Sequence, residues 1–277
     1  MEKNTTMTEF FEQKLREDEK SEATVKKYVR DVQRFAEYVG ENPITKERVI
    51  CYKQYLSEHY TVSSANSMLA AVNSFLQITG YPDCRVKAFR IQREAFRKKE
   101  KELSREEYLR LLEAAKCRKN KRLYLLMQTM GATGIRISEL PFITVESLDT
   151  RRAQVSLKGK IRIVLLPGEL CLELKKYVRE KKILKGSIFV TRSGKPVDRS
   201  NILHEMKGLC EEAEVLREKV FPHNFRHLFA VTYYKAEHDI WHLADLLGHS
   251  NINTTRIYTL VSCEEQEKQI EGLGLMA

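Results

Sequence analysis

No run of about 18 apolar residues occurs in the sequence, so no segment reads as a membrane-spanning helix. The opening residues Met1-Glu2-Lys3-Asn4-Thr5-Thr6 lack the apolar core of a secretory signal, and the chain is expected to be cytoplasmic and nucleoid-associated. Cysteine is sparse and scattered. Cys51, Cys84, Cys117, Cys171, Cys210 and Cys263 form no C-x-x-C pair, which excludes a zinc ribbon and a disulfide framework and leaves reduced thiols. Asp and Glu nowhere cluster at ligand spacing, so neither a metal nor any other cofactor is expected, and a metal-dependent nuclease is disfavoured. Internal repeats and low-complexity tracts are absent as well.

What is abundant is positive charge. The 277 residues carry a net charge of +10, which calls for an anionic partner, nucleic acid before a membrane surface. Between Arg85 and Arg122, 15 Lys and Arg face 6 Asp and Glu, so a net +9 falls in that single stretch. Its centre, VKAFRIQREAFRKKEK, has lost helical periodicity and reads as a basic linker over residues 86–102. Within it Arg97, Lys98, Lys99 and Lys101 are candidate DNA-backbone contacts.

The chain before the linker, residues 1–85, reads as four helices. They run from Thr8 to about Arg16, from Ser21 to Gly40, from Thr45 to Glu58, and from Ser63 to Thr79 ahead of Gly80 and Pro82. The second is the clearest, with Val25, Tyr28, Val29, Val32, Phe35, Ala36 and Val39 on one stripe. Together they make a compact bundle.

Residues 103–277 read as a second, α+β domain. Ser104 and Glu107 form a capping box ahead of Tyr108, Leu111, Leu112 and Ala115. Lys121–Met130 is a helix that stops at a Gly131-Ala132-Thr133-Gly134 turn. Ala153–Leu166 alternates as a hairpin, with Val155, Leu157, Ile161, Ile163 and Leu165 as its apolar positions around Lys158-Gly159-Lys160. Ile188-Phe189-Val190 is a candidate third strand, and helices are expected at Leu170–Lys182 and Asn201–Ala213.

The stretch from Phe221 to Tyr258 organises the rest. Pro222 suits the first turn of a helix. On that helix Phe225, Leu228, Phe229 and Thr232 share one side, and His223, Arg226, Ala230 and Tyr233 share roughly the opposite one. A His and an Arg one turn apart, off the buried face, converge on a single anion. Gly248 reads as a helix end, His249 as lying on the following turn, and Ser250 or Asn251 as the cap of the segment that carries Tyr258.

With Arg136 and a lysine from the hairpin, either Lys158 or Lys160, these groups suit phosphoryl transfer. Two guanidiniums grip a phosphate bidentately and favour the extra charge of a five-coordinate transition state. Beside such cations a phenolate is favoured as nucleophile, and a lysine can protonate the leaving oxygen. Each residue alone has a blander reading. Arg136 pairs with Glu139 at i+3, Tyr258 is a core tyrosine, Trp241 is core, and His227, His238 and His242 are structural or solvent-facing. Co-occurrence in one order favours the chemical reading.

ATGIRISEL (Ala132–Leu140), HNFRH (His223–His227), LLGHS (Leu246–Ser250) and TTRIY (Thr254–Tyr258) resemble the signature boxes of the tyrosine recombinase, or phage integrase, family. The likeness covers most of Leu103–Thr259, and the N-terminal helices resemble that family's SAM-like core-binding domain. It implies a mainly α fold with a small antiparallel sheet and a C-shaped clamp on duplex DNA recombination sites. As a departure from some integrases, the sequence is expected to start at the core-binding domain without their extra arm-binding domain. The resemblance further implies a homotetramer on two sites, an accessory directionality protein as an admissible partner, and no membrane. The implied roles are Arg136 and Arg226 as phosphate clamp, His223 and His249 as the box histidines, Tyr258 as nucleophile and Lys158 as general acid. Lys160 is then a DNA contact, or the acid itself. Phe225, Pro141 and the short KGKIR hairpin depart from the family's usual pattern. A type IB topoisomerase, which shares the Arg, Lys and Tyr chemistry, is the alternative.

Overall fold

The computed structural model describes residues 2–90, 101–157, 160–191, 193–259, 268 and 270–273, with only the backbone of 2–6, 157 and 160. The chain divides into two compact units, Met1–Arg93 and Glu94–Ala277. Arg97, Lys98, Lys99 and Lys158 lie outside the described residues, and of Lys160 only the strand position is described.

The first unit holds α1 (Glu2–Glu17), α2 (Glu22–Val39), α3 (Lys46–His59) and α4 (Val62–Ile78). Thr45 and Thr61 cap α3 and α4 by accepting from the backbone N–H three residues on. Phe11, Val32, Phe35, Tyr52, Leu69 and Phe75 fill the core at the 3.6-residue spacing the sequence shows. Residues 86–89 also join this unit. Asn73 brackets Val86 and Asn66 brackets Phe89, each giving one hydrogen bond and taking one.

The second unit begins with α5 (Arg105–Cys117), where the Ser104–Glu107 capping box is formed, and α6 (Lys121–Thr133). Instead of turning at Gly131, α6 continues through it; a Cβ there would lie 2.6 Å from the Tyr108 hydroxyl, so the glycine makes room for that ring inside the helix. The helix stops at Gly134, whose φ of 61° is left-handed. Next come a 3-10 helix over Ile137–Phe142 that contains Pro141, and α7 (Ser147–Thr150).

Strands β1 (Arg152–Leu157) and β2 (Lys160–Leu165) pair antiparallel, with Val155 opposite Arg162 and Ala153 opposite Val164. This register corrects the expected apolar face of β2. Ile161, Ile163 and Leu165 are exposed, while Val164 and Arg162 turn inward beside Ala153 and Val155. Alternation identifies a strand but not which of its faces the core covers. The candidate strand at Ile188–Val190 is not one: it makes isolated bridges at its flanks, and Ile188 and Phe189 are buried as core loop.

Then follow α8 (Gly168–Lys181), α9 (Arg199–Lys207), α10 (Pro222–Glu237) and α11 (Ile240–Leu247). Helix α9 stops at Gly208, earlier than the Ala213 expected. Short 3-10 turns at Ile252–Thr254 and Arg256–Tyr258 complete the described core of the site. Ala230, Val231, Leu243, Leu247 and Tyr258 form a separate apolar cluster between α10, α11 and the last turn. No helix among the described residues is long and apolar enough to cross a membrane.

Candidate active site

Three successive carbonyls at the C-terminus of α11 hold three arginines. Arg162 Nη1 donates to Leu246 O at 2.6 Å, Arg226 Nη2 to Leu247 O at 2.7 Å and Arg136 Nη2 to Gly248 O at 3.4 Å. The last carbonyls of a helix have no partner within it and carry the negative end of its dipole, so cations collect there. Gly248, in the left-handed conformation with φ 63°, ends α11 and leaves room for the Arg162 side chain. A Cβ at Gly248 would lie 2.5 Å from Arg162 Cδ.

Arg226 is the most deeply placed of the three, 2% exposed. This corrects the expectation that it stands off the buried face of α10: the Phe225 side packs against Tyr108, the Arg226 side is covered by the α6 and α11 termini, and His223 in the first turn stays exposed. Its Nη1 donates to Gly134 O at 2.6 Å, and Nη2 also reaches His249 Nε2 at 2.8 Å. All three of these acceptors are neutral. Burial first, and Arg136 second, push the Arg226 pKa down to about 10. The site therefore holds a guanidinium whose charge costs free energy until an anion arrives.

Arg136 is more open. Its Nη1 pairs with Glu139 Oε1 at 2.8 Å, and its own backbone N–H donates to Glu139 Oε2 at 2.9 Å. Glu139 is buried and shared with Arg162, whose Nη2 lies 2.5 Å from Oε2 and Nε 3.3 Å from Oε1. Burial would raise the Glu139 pKa, but the hydrogen bonds from Arg162 and the Arg136 backbone outweigh it and hold the carboxyl below its ordinary value. The local Arg136–Glu139 pair and the site are thus one feature.

His249 Nδ1 lies 2.8 Å from the hydroxyl of Thr255, which is fully buried. Burial first, then Arg226, Arg136 and Arg162, push the His249 pKa down to about 4. His223 stands exposed in the first turn of α10, and its pKa is lowered by partial desolvation, then by Arg226 and Arg136. Tyr258 is 2% exposed and lies between two imidazoles. His249 stacks on it at 6.1 Å and 18°, and His227 meets it edge-on at 5.1 Å and 70°. His227 Nε2 is 3.5 Å from Glu102 Oε1. Asn251, not Ser250, caps the segment leading to Tyr258.

The structure thus gathers Arg136, Arg226, His249 and Tyr258, with His223 at the rim. Lys160 lies two residues before Arg162 on β2. Exposed Lys101 offers its carbonyl to Asn224 Nδ2 at 2.9 Å. Sequence reasoning missed Arg162, Thr255, and the packing of His227 against Tyr258. For Arg162 the available signal was its alternation with Val164. Trp241, expected in the core, is 70% exposed. Among the described residues no group of three or more His, Cys, Asp or Glu lies together as a cation site.

Residues 101–265 match the model of the phage integrase family, and residues 8–79 match that of the phage integrase N-terminal SAM-like domain. A tyrosine recombinase XerA of Pyrococcus furiosus is 26% identical over 93% of this chain and 90% of its own. A tyrosine recombinase XerD of Vibrio cholerae is 27% identical over 88% of this chain and 87% of its own. In fold, the chain resembles the Tn1549 transposon integrase in complex with transposon right end DNA, with a TM-score of 0.74 at 16% identity over 96% of this chain and 99% of that one. It also resembles the XerH recombinase in a post-cleavage complex with palindromic difH substrate, with a TM-score of 0.72 at 20% identity over 89% and 78%. With the integrase model spanning more than half of its length and the SAM-like model most of the remaining N-terminal part, the chain belongs to the phage integrase, or tyrosine recombinase, family.

Proposed function

We propose that this tyrosine recombinase cleaves and rejoins duplex DNA at specific sites through a 3′-phosphotyrosine intermediate, integrating, excising or resolving DNA. The observation that carries this reading is Arg226, a buried guanidinium with three neutral acceptors, set beside Arg136, His249 and Tyr258. A scissile phosphodiester is the anion that fits it. Arg226 and the outward side of Arg136 bind the non-bridging oxygens and stabilise the charge of the five-coordinate transition state. Tyr258 Oη forms the bond to phosphorus, the bond to the 5′ oxygen breaks, and that oxygen takes a proton from Lys158, or from Lys160 in the same hairpin. The phenol proton is released to solvent, which reprotonates the lysine. Because the phosphotyrosine keeps the energy of the phosphodiester, rejoining needs no ATP. Cationic side chains supply the charge, so no metal takes part. His223 donates to the phosphate from the rim.

The partners are two recombination sites held by a homotetramer, with an accessory protein setting direction. Support for DNA as substrate comes from the fold shared with recombinases solved on DNA and from the basic stretch between Arg85 and Arg122. The test uses a plasmid with two copies of inverted repeats taken from DNA flanking the gene, each about one helical turn from its mate. Exchange between the sites in excess EDTA is the expected result. Relaxation without exchange would indicate a topoisomerase, and cutting abolished by EDTA would contradict the reading.

A further inference from the structure

Arg162 lies outside the chemical groups just assigned, yet its side chain joins the supports of several of them. It sits on the inner face of β2 with its side chain 13% exposed, opposite Val155 in the ladder. Its Nε and Nη2 take both oxygens of Glu139, and its Nη1 takes Leu246 O. The partners are 23 and 84 residues away in sequence. Its stem runs along Gly248, the residue between the carbonyl that holds Arg226 and the imidazole of His249. One side chain thus ties the hairpin strand to the carboxylate beneath Arg136 and to the end of α11.

We propose that Arg162 is a positioning residue that sets the hairpin lysine against the leaving 5′ oxygen. The inference rests on the reading of Lys158 or Lys160 as general acid. Lys160 is two residues from Arg162 along the strand, about 7 Å at 3.3–3.4 Å per residue, and Lys158 precedes it by two residues in the sequence. An isolated two-stranded hairpin is marginal in water and takes its order from what its strands pack against. An acid displaced by about 1 Å loses on the order of 10²-fold in rate, so a lock on the strand that leads to the lysine has a chemical consequence. Arg162 supplies it with the fixed fork of a guanidinium, which two carboxylate oxygens and a helix-end carbonyl engage at once. Each of its three guanidinium nitrogens already donates to Glu139 or Leu246, so in this arrangement Arg162 supports the site and is not assigned to the phosphate. Its charge also balances Glu139, so that Arg136 retains a net positive charge toward the phosphate.

The test is single-turnover cleavage of a nicked duplex containing the recombination site, made once with the natural phosphodiester and once with sulfur in place of the bridging 5′ oxygen. A thiolate, with a pKa near 8.5, leaves without an acid. Lys158→Ala and Lys160→Ala identify the acid: one of them is slow on the oxygen substrate and restored on sulfur. Arg162→Gln and Arg162→Lys are expected to follow the same pattern, at least 10-fold slower on oxygen and within about 3-fold of the parent on sulfur. The lysine variant keeps a charge on Glu139, so it guards against a folding defect in the glutamine variant, and thermal midpoints of both are compared with the parent. If a lysine variant is rescued by sulfur and neither Arg162 variant is, Arg162 serves the phosphate clamp or the fold and the proposal fails alone. If no lysine variant is rescued, the general-acid reading fails and takes the proposal with it.

Discussion

Arg226 Nη2 lies 2.8 Å from His249 Nε2, and because a guanidinium only donates, the imidazole nitrogen must accept. The proton of the neutral ring is therefore on Nδ1, where it is donated to the Thr255 hydroxyl. His249 is neutral in this arrangement, in keeping with a pKa of about 4. It serves as an acceptor that aims Arg226 and as a plane on which Tyr258 stacks.

A pH dependence follows from this. His249 has its folded pKa depressed from 6.5 to about 4, and that of His223 is lowered too. Below about pH 6.5 the unfolded chain binds protons that the folded chain refuses, so stability falls as pH drops from 6.5 toward 4. Thermal midpoints measured across this window should decline more in the parent than in His249→Asn. An equal decline in both would mean that His249 is protonated in the fold.

The two clamp arginines should separate by stability. Lysine cannot reproduce a bidentate grip, so Arg136→Lys and Arg226→Lys should each slow single-turnover cleavage by about 10²–10³. Arg226→Lys also leaves the carbonyls of Gly134 or Leu247 short of a donor, at a cost of about 1–3 kcal/mol per buried group. The more open Arg136 should change unfolding free energy little. Urea titrations beside the cleavage assay check both halves of this expectation.

Gly134 is where α6 hands Arg226 its acceptor, and it has no room for a side chain. With φ at 61°, an added Cβ would sit 2.4 Å from Phe229 Cδ1 and 3.1 Å from Leu247 Cδ2. Gly134→Ala should cost about 1–2 kcal/mol in backbone strain and about 1–3 kcal/mol in overpacking. A urea midpoint unchanged from the parent would show that the helix end can relax without moving Arg226.

The basic segment should govern affinity and not chemistry. Neutralising Arg97, Lys98, Lys99 and Lys101 together should weaken binding to cognate and random duplexes alike. It should also flatten the salt dependence by up to about 0.9 log unit for each phosphate no longer neutralised. Dissociation constants at several salt concentrations decide this. Identical slopes would make the run solvated surface, and a loss confined to cognate DNA would make these residues base readers.

Much of this architecture was legible in the sequence because it depends on local spacing. The apolar stripe of α2, the Ser104–Glu107 box, Pro222 at the first turn of α10 and the left-handed Gly248 each follow from residues within a turn or two. The inward face of β2 was not legible. Three aliphatics at alternate positions, Ile161, Ile163 and Leu165, outweigh Arg162 and Val164 in any pattern, and only the core of the same unit, packed on the other face, decides otherwise. The shared use of Leu246, Leu247 and Gly248 carbonyls by Arg162, Arg226 and Arg136 depends on pairings 21 to 112 residues apart, which no local pattern encodes. Trp241 illustrates the converse: hydrophobicity placed it in the core, while the short α11 turns it outward.

The central claim is that Tyr258 becomes covalently joined to DNA. On a nicked suicide duplex carrying the recombination site, the parent should form a protein–DNA adduct that survives denaturant. Tyr258→Phe removes one oxygen from a ring that is already packed by apolar neighbours and two imidazoles, so folding and duplex binding should persist while the adduct disappears. A denaturant-resistant adduct formed by Tyr258→Phe would place the nucleophile elsewhere and contradict the account.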